Sequence, residues 1–194
     1  IILGNMRLGV ADMTILDALS ICFTGDKSNK KRLERAYNVC PDIAEIAKQL
    51  AEKGIKHIDE IPIKVGRPIR VMLAQRVQNI LEMKDKFSSD IIQVDAKYDG
   101  ERVQIHKSRD GKITLFSRRM ENITEQFPDL VEHLKKEINV IATEYIIEGE
   151  IMALSVDLKE HRHFQTLMQR KRKTEIEKYI KKIPVCIYTF DILY

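Results

Sequence analysis

A lysine followed by an acid, a glycine and an arginine is the part of this sequence best suited to covalent chemistry. Residues 97–102 read Lys-Tyr-Asp-Gly-Glu-Arg. The amine of Lys97 can act as a nucleophile only when neutral, and roughly one unperturbed lysine in 2,500 is neutral at pH 7. Arg102, bound cations or other basic groups would have to favour the neutral form, while Gly100 would let the backbone turn close to a ligand. The alternative is an exposed strand lysine beside an Asp-Gly turn.

Alternating apolar and polar residues predict strands on both sides of this motif. The alternation begins at Ile92 and predicts a half-buried strand over residues 92–98, and it continues through Ile105. An Arg-Asp-Gly turn at residues 109–111 predicts a β-hairpin whose second strand starts at Ile113. We therefore expect the lysine motif at a bend between two strands.

The remaining patterns in the second half predict both helices and strands. Helices are expected over residues 124–137 and 163–182, the second of them basic. A strand pair or one long buried strand is expected over residues 144–154, and a final strand over 185–194. Helices packed on an antiparallel sheet would make this an α+β fold.

The first third of the chain is predicted to be helical. Apolar residues at helical spacing predict a first helix that stops at Gly25 and a second that Ser28 caps. A third helix would have Pro41 in its first turn and Gly54 just after its end.

A stretch rich in proline and glycine separates this helical part from the strands. Pro62, Gly66 and Pro68 lie close together, and such residues break regular structure. We expect residues 1–62 and 63–194 to belong to different domains, with a short helix near residues 77–84 opening the second.

Composition excludes several classes of protein. The chain has 194 residues, of which 44% are hydrophobic and 32% charged, which is typical of a folded soluble domain or two partial ones. No apolar run approaches the ~20 residues of a membrane span, and no signal-peptide pattern is present. Three scattered cysteines exclude a disulfide framework and a cysteine zinc site and indicate a reducing compartment. We expect an intracellular, monomeric protein that does not bind membranes.

The net charge of +4 is mild, but its distribution is uneven. Basic residues cluster near each end: Lys27, Lys30, Lys31, Arg32 and Arg35 near the start, and Arg162, Arg170, Lys171, Arg172 and Lys173 near the end. These clusters could bind a polyanion, or they could be solvated helix faces.

Several segments in a fixed order together resemble one family. Residues 97–102 match the KxDGxR motif of covalent nucleotidyltransferases, and the whole chain resembles an ATP-dependent DNA ligase of the archaeal and eukaryotic replicative type. The other matching segments are Arg7-Leu8-Gly9-Val10, residues 68–74 (Pro-Ile-Arg-Val-Met-Leu-Ala), Phe116-Ser117-Arg118, Glu148-Gly149-Glu150, residues 164–168 with the basic run after them, and residues 188–194.

The resemblance implies a role for each candidate residue. Lys97 would attack the α-phosphate of ATP to form a lysyl-AMP intermediate. Arg102 and Arg118 would hold phosphate or ribose oxygens. Glu150 would bind a ribose hydroxyl or help to place Mg²⁺. Phe190 would stack on adenine.

The resemblance also places Asp95 at a nucleotide contact, with one departure from the family. Asp95 stands where the family more often has glutamate, and its shorter side chain makes a direct adenine contact harder. Each role has a structural alternative: Arg118 could pair with a surface acid, Glu150 could be an exposed strand carboxylate, and Phe190 could belong to the core.

The resemblance makes nicked duplex DNA the expected partner. Phosphate contacts supply most of the affinity of such an enzyme for DNA. The candidate contacts are Arg7, Lys30, Lys31 and Arg32 in the helical part, and Arg170 and Arg172 in the second domain. The sequence shows no base-reading module. A sliding clamp is a further possible partner, and the resemblance implies a location at the nucleoid, or in the nucleus if the source is eukaryotic.

The family's later motifs would lie beyond Tyr194. They include another acidic residue, two lysines that contact the α-phosphate, and a small β-barrel domain. We therefore expect a piece of a longer protein that cannot complete ligation alone. Two rival interpretations are another covalent nucleotidyltransferase, such as an RNA ligase or an mRNA-capping guanylyltransferase, and a non-catalytic nucleic-acid-binding module.

Overall fold

The first described part of the chain is a group of helices around a small apolar core. The structure, a computed structural model, describes residues 11–87, 89, 91–137, 142–171 and 176–194. Its helices are α1 (Asp12–Thr24), α2 (Lys30–Val39) and α3 (Ile43–Lys53), followed by a 3-10 helix (Ile55–Glu60). The fully buried side chains of this core are Leu16, Leu33, Ile46, Leu50 and Ile58.

The helix ends follow the sequence in part. Gly25 ends α1 in the left-handed conformation, with φ of 85°, and Gly54 follows α3, as predicted. Ser28 does not cap α2, because that helix begins at Lys30, directly after Asn29. Asp42 caps α3 by accepting hydrogen bonds from the backbone of the next turn, so Pro41 lies before the helix rather than in its first turn.

The second part is built on an antiparallel sheet. Among the described residues it has four strands in the order β2-β1-β3-β4. Their bounds are β1 (Glu101–Lys107), β2 (Ile113–Ser117), β3 (Tyr145–Ala153) and β4 (Val185–Ile192). The predicted hairpin and the long strand are confirmed. The mixture of helices with an antiparallel sheet agrees with the predicted α+β class.

The two faces of this sheet differ in polarity because strand side chains alternate. Val103, Ile105 and Ile151 point into an apolar core covered by helices. These helices are α5 (Pro128–Glu137), α6 (Phe164–Met168) and α7 (Ile176–Lys182). The opposite face carries polar side chains, which the candidate active site uses: Arg102, Gln104, His106, Glu148 and Glu150.

The strand predicted over residues 92–98 is wrong. Residues 91–99 form no strand, and Val94 is 81% exposed. The segment lies beside β4, the last strand in the sheet order, but adds no strand to that edge. Alternation of apolar and polar residues predicts one buried and one exposed face, but a strand also needs a neighbouring strand to pair with.

Two predicted helices are interrupted. Residues 124–137 form a 3-10 turn (Thr124–Gln126) and then α5, because Pro128 suits the first turn of a new helix. The basic helix over 163–182 is replaced by α6, a 3-10 turn (Gln169–Lys171) and α7. The short helix before the sheet is confirmed as α4 (Ile80–Lys86), which Asn79 caps.

The irregular segment of residues 61–71, the linking segment, connects the helical group to the polar face of the sheet. The Arg70 N–H donates to the Asn38 carbonyl at 2.9 Å, at the end of α2. Ile69 is bonded to the side chain of Gln104 through both its N–H (2.9 Å) and its carbonyl (2.6 Å). The Gly66 N–H donates to Nδ1 of His106. Within the described ranges, no helix combines the length and apolar character needed to cross a membrane.

Candidate active site

One cleft on the polar face contains most of the predicted nucleotide-binding residues. It has a volume of about 830 Å³, and Lys97, Arg102, Arg118 and Glu150 all line it. Residues 72–74, which follow the irregular linking segment, form part of its wall. The structure thus brings together residues separated by more than fifty positions in the sequence.

Strand register explains this convergence. Arg102 on β1 lies opposite Glu150 on β3, so both side chains leave the sheet on the same face. Arg118 directly follows the last residue of β2, and β2 pairs with the other edge of β1. Lys97 is exposed on the irregular segment that leads into β1.

Gly100 lets this segment lie directly on β3. A Cβ at this position would stand 2.0 Å from the carbonyl oxygen of Ile151 and 2.7 Å from Sδ of Met152. The Gly100 N–H donates to Oε1 of Glu150 at 3.1 Å. Any larger residue would force the chain away from the strand and break this contact.

Glu150 is a half-buried carboxylate in a basic setting. Burial raises its pKa above the usual value, while the Gly100 N–H and the positive charges of Lys97 and Arg102 act in the opposite direction. The exposed strand carboxylate considered as an alternative is therefore not what the structure shows.

Arg102 is held by a residue to which sequence reasoning gave no role. Its guanidinium forms an ion pair with Glu148, whose side chain is only 3% exposed. Gln104 also donates to Glu148, at 2.9 Å. The strand register explains this pair, since Glu148 lies opposite Gln104, two residue pairs along from Arg102 and therefore on the same face.

Asp95 and Phe190 line a neighbouring cleft of about 980 Å³. Phe190 is 43% exposed, so it is not a core residue, and the Arg102 guanidinium lies 5.3 Å from the centre of its ring. Asp95 accepts a hydrogen bond from Gln93 at 2.8 Å. Tyr98 borders both clefts and separates the two groups of candidate residues.

A family model for the ATP-dependent DNA ligase domain matches residues 71–194. This range contains the lysine motif and every residue that forms the two clefts.

The chain belongs to the ATP-dependent DNA ligase family.

Archaeal DNA ligases are its relatives over nearly the whole sequence. The DNA ligase of Saccharolobus solfataricus is 49% identical over 98% of this chain, and DNA ligase 2 of Thermofilum pendens is 48% identical over all of it. The chain spans 31% of the length of each of these ligases. A solved structure of the ligase domain of LigD from M. tuberculosis is 22% identical over 52% of this chain and 28% of that one, with a TM-score of 0.37.

Arg170, which the sequence predicts to contact DNA, is a buried residue in the structure. Its side chain is 1% exposed and forms an ion pair with Asp129. It also donates to the carbonyls of Ile183 (3.1 Å) and Gln126 (3.4 Å). Burial of both hydrogen-bonding edges leaves no guanidinium surface for a phosphate.

The other predicted DNA contacts have different surroundings. Lys30 pairs with Asp17, and Arg32 pairs with Asp59, while Lys31 between them is exposed. Arg7 and Arg172 lie outside the described residues. Among the described residues there is no group of three or more His, Cys, Asp or Glu side chains placed to hold a metal ion.

Proposed function

We propose that the complete protein containing this chain is an ATP-dependent DNA ligase that seals nicks in duplex DNA through a lysyl-AMP intermediate. The observation that carries this proposal is the convergence of Lys97, Arg102, Arg118 and Glu150 on one cleft within the ligase-family region. This set supplies a nucleophilic amine, two positively charged groups that can bind a polyphosphate, and one carboxylate.

The first step joins Lys97 to AMP. The lone pair of Nζ attacks the α-phosphorus of ATP, a P–N bond forms, and the bond to the bridging oxygen breaks with its electrons leaving on pyrophosphate. The side chain gives up two protons to water in all, one before the attack and one after it.

The arginines and the aromatic residue bind the nucleotide in this proposal. Arg102 and Arg118 hold phosphate or ribose oxygens, for which the guanidinium fork is suited. The ion pair with Glu148 and the ring of Phe190 keep the Arg102 side chain in place beforehand. The exposed face of Phe190 stacks on adenine, and Asp95 lies in the same cleft.

Glu150 is suited to help bind a magnesium ion or a ribose hydroxyl. Mg²⁺ prefers oxygen ligands and usually combines one or two carboxylates with substrate phosphates. Glu150 lines the same cleft as Lys97, so its carboxylate fits that pattern. A bound Mg²⁺ would neutralise phosphate charge, which otherwise repels electron-rich groups.

The later steps use DNA. A 5′-phosphate oxygen at the nick attacks the AMP phosphorus, and the P–N bond breaks to restore the lysine. The 3′-hydroxyl then attacks the activated 5′-phosphorus, AMP leaves, and the hydroxyl proton passes to solvent. Residues 1–62 would be the end of a helical DNA-binding domain, and residues 63–194 the first part of the adenylation domain.

The setting of the protein is also part of the proposal. We propose a monomer that acts inside the cell at the nucleoid, or in the nucleus if the source is eukaryotic, with a sliding clamp as a further partner. A chain of residues 1–194 alone should not seal nicks, because the remaining family motifs are needed to close over ATP and DNA.

A substitution of the lysine separates this function from simple DNA binding. In the full-length protein, Lys97→Ala should abolish sealing of nicked DNA from ATP but retain sealing of nicks that already carry a 5′-adenylate. The second substrate bypasses the step that needs the amine. Undiminished sealing from ATP by this variant would contradict the proposal.

A further inference from the structure

The segment that carries Lys97 has few attachments to the rest of the protein. Residues 91–99 form no strand, and most of their side chains are exposed, including Lys97 itself. Tyr98 is among the less exposed residues of this segment, and it directly follows the lysine. The position of the nucleophile must therefore depend on a small number of contacts.

The ring of Tyr98 stacks on Tyr188. The ring centres are 4.1 Å apart, and the planes differ by only 12°. Tyr188 lies on β4 opposite Glu150, and Glu150 in turn lies opposite Arg102 on β1. The stack thus attaches the lysine segment to the same row of residues that forms the cleft.

His161 lies at the edge of this stack and contacts both rings. Its Nε2 lies 2.8 Å from the Tyr188 hydroxyl, and its ring meets the Tyr188 ring edge-on at 5.5 Å. It also meets Tyr98 edge-on at 6.3 Å. The aromatic cluster of Tyr98, Tyr188 and His161 therefore holds its rings in a defined arrangement.

Two attachments lie on the C-terminal side of the lysine. Tyr98 is bound through its ring, and Gly100 through the N–H that donates to Glu150. The amine sits on a flexible four-carbon stem, so fixing the backbone beside it limits the volume that the nucleophile explores. Small losses of such alignment slow a reaction in which two atoms must meet in line.

We propose that Tyr98 and Tyr188 are positioning residues for Lys97, and that their stack sets the approach of the amine to the α-phosphate of ATP. This inference rests on the proposed function. It adds residues that carry none of the charge, acid–base or nucleophilic chemistry and act only through the lysine backbone.

The test compares adenylation with a step that does not use the lysine as nucleophile. In the full-length protein, Tyr188→Leu should lower the rate of lysine adenylation at saturating ATP by about two- to ten-fold, the range expected for loss of an aromatic pair. The KM for ATP should change by less than about two-fold, because the phosphate-binding residues remain. Sealing of pre-adenylated nicks should keep its rate.

Conservative and matched variants complete the design. Tyr188→Phe keeps the stack and should adenylate within about two-fold of the parent. Tyr98→Leu should behave like Tyr188→Leu, and the double variant should be no slower than either single one, because both remove the same contact. Tyr194→Leu is the control: this residue is 53% exposed, lies beyond β4 and bonds through its backbone to Ile146.

Each outcome decides between positioning and other roles. Unchanged adenylation by Tyr188→Leu overturns the proposal. An equal loss of adenylation and of pre-adenylated nick sealing also overturns it, because it indicates general damage to the fold. Failure of the proposed function would look different: the parent protein itself would form no AMP adduct.

Discussion

A buried histidine forms one of the bonds that hold the linking segment on the sheet. His106 is 1% exposed, and its Nδ1 accepts the N–H of Gly66. Its Nε2 lies 3.4 Å from Oε1 of Gln104, whose side chain is bonded to Ile69. Nδ1 can accept only while it carries no proton, so the bond to Gly66 requires the neutral ring.

Acid should therefore lower the free energy of unfolding through protonation of His106. Burial lowers the pKa of His106 from 6.5 to about 4. The unfolded chain binds a proton more readily, so the contribution to stability is complete above pH 6.5 and is lost as the pH falls from there through about 4. Between about pH 7.5 and about pH 5, the free energy of unfolding should fall by about 2 kcal/mol through this group.

The measurement is urea unfolding of the protein and of His106→Asn at these two pH values. The asparagine oxygen can replace Nδ1 as an acceptor for Gly66, and it does not titrate. The variant should show a pH dependence smaller by about 2 kcal/mol. Identical pH dependences in the two proteins would show that His106 is not the group responsible.

At the scale of elements, the sequence predicts those whose pattern is decided locally. Gly25 and Gly54 mark helix ends because they adopt a positive φ there, and the turn at residues 109–111 forms the predicted hairpin. The region before Lys97 was predicted wrongly because a strand forms only where a neighbouring strand pairs with it, and alternation carries no information about that pairing.

Predictions from clusters of charged residues have the same limitation, as Arg170 shows. A cluster of basic residues predicts a polyanion surface only if the side chains point outward. Here the guanidinium turns inward to Asp129 and lies 5.2 Å from the ring of Phe127, at a break between short helices. Its partner Asp129 is forty-one positions away, so sequence proximity could not reveal it.

Arg170 should accordingly matter for folding. Arg170→Ala removes one partner of a mostly buried ion pair and should lower the free energy of unfolding by about 3 kcal/mol. Lys182→Ala, an exposed basic residue at the end of α7, should change it by less than about 0.5 kcal/mol. Chemical unfolding of the variants measures both. Unchanged stability of Arg170→Ala with weaker DNA binding would restore the earlier prediction of a phosphate contact.

On the scale of the whole molecule, the helical group and the four-stranded sheet are physically joined. Arg70 lies 4.8 Å from the ring of Tyr37 and 3.9 Å from a carboxylate oxygen of Asp12, and its neighbour Ile69 is bonded to Gln104 on the sheet.

The candidate site could be predicted from the sequence in part: the order and spacing of the motifs indicated Lys97, Arg102, Arg118 and Glu150. Glu148 and the Tyr98–Tyr188 stack depend on strand pairing across long separations, which one sequence does not show.

DNA binding by the complete protein should depend steeply on salt. Each phosphate contact contributes about 0.9 to the slope of log affinity against log salt concentration. Lys31 is exposed on α2, so Lys31→Gln should reduce the slope by about that amount. Lys112→Gln, on the turn between β1 and β2, is the matched control and should leave it unchanged. A binding constant that barely responds to salt would argue against DNA binding through phosphate contacts.

The most direct measurement is mass spectrometry of the full-length protein after incubation with ATP and Mg²⁺. The account predicts an added AMP, located by peptide mapping on Lys97, and no adduct on the Lys97→Ala variant. An adduct on any other residue, or joining of nicked DNA from ATP without an enzyme-bound AMP, would contradict it.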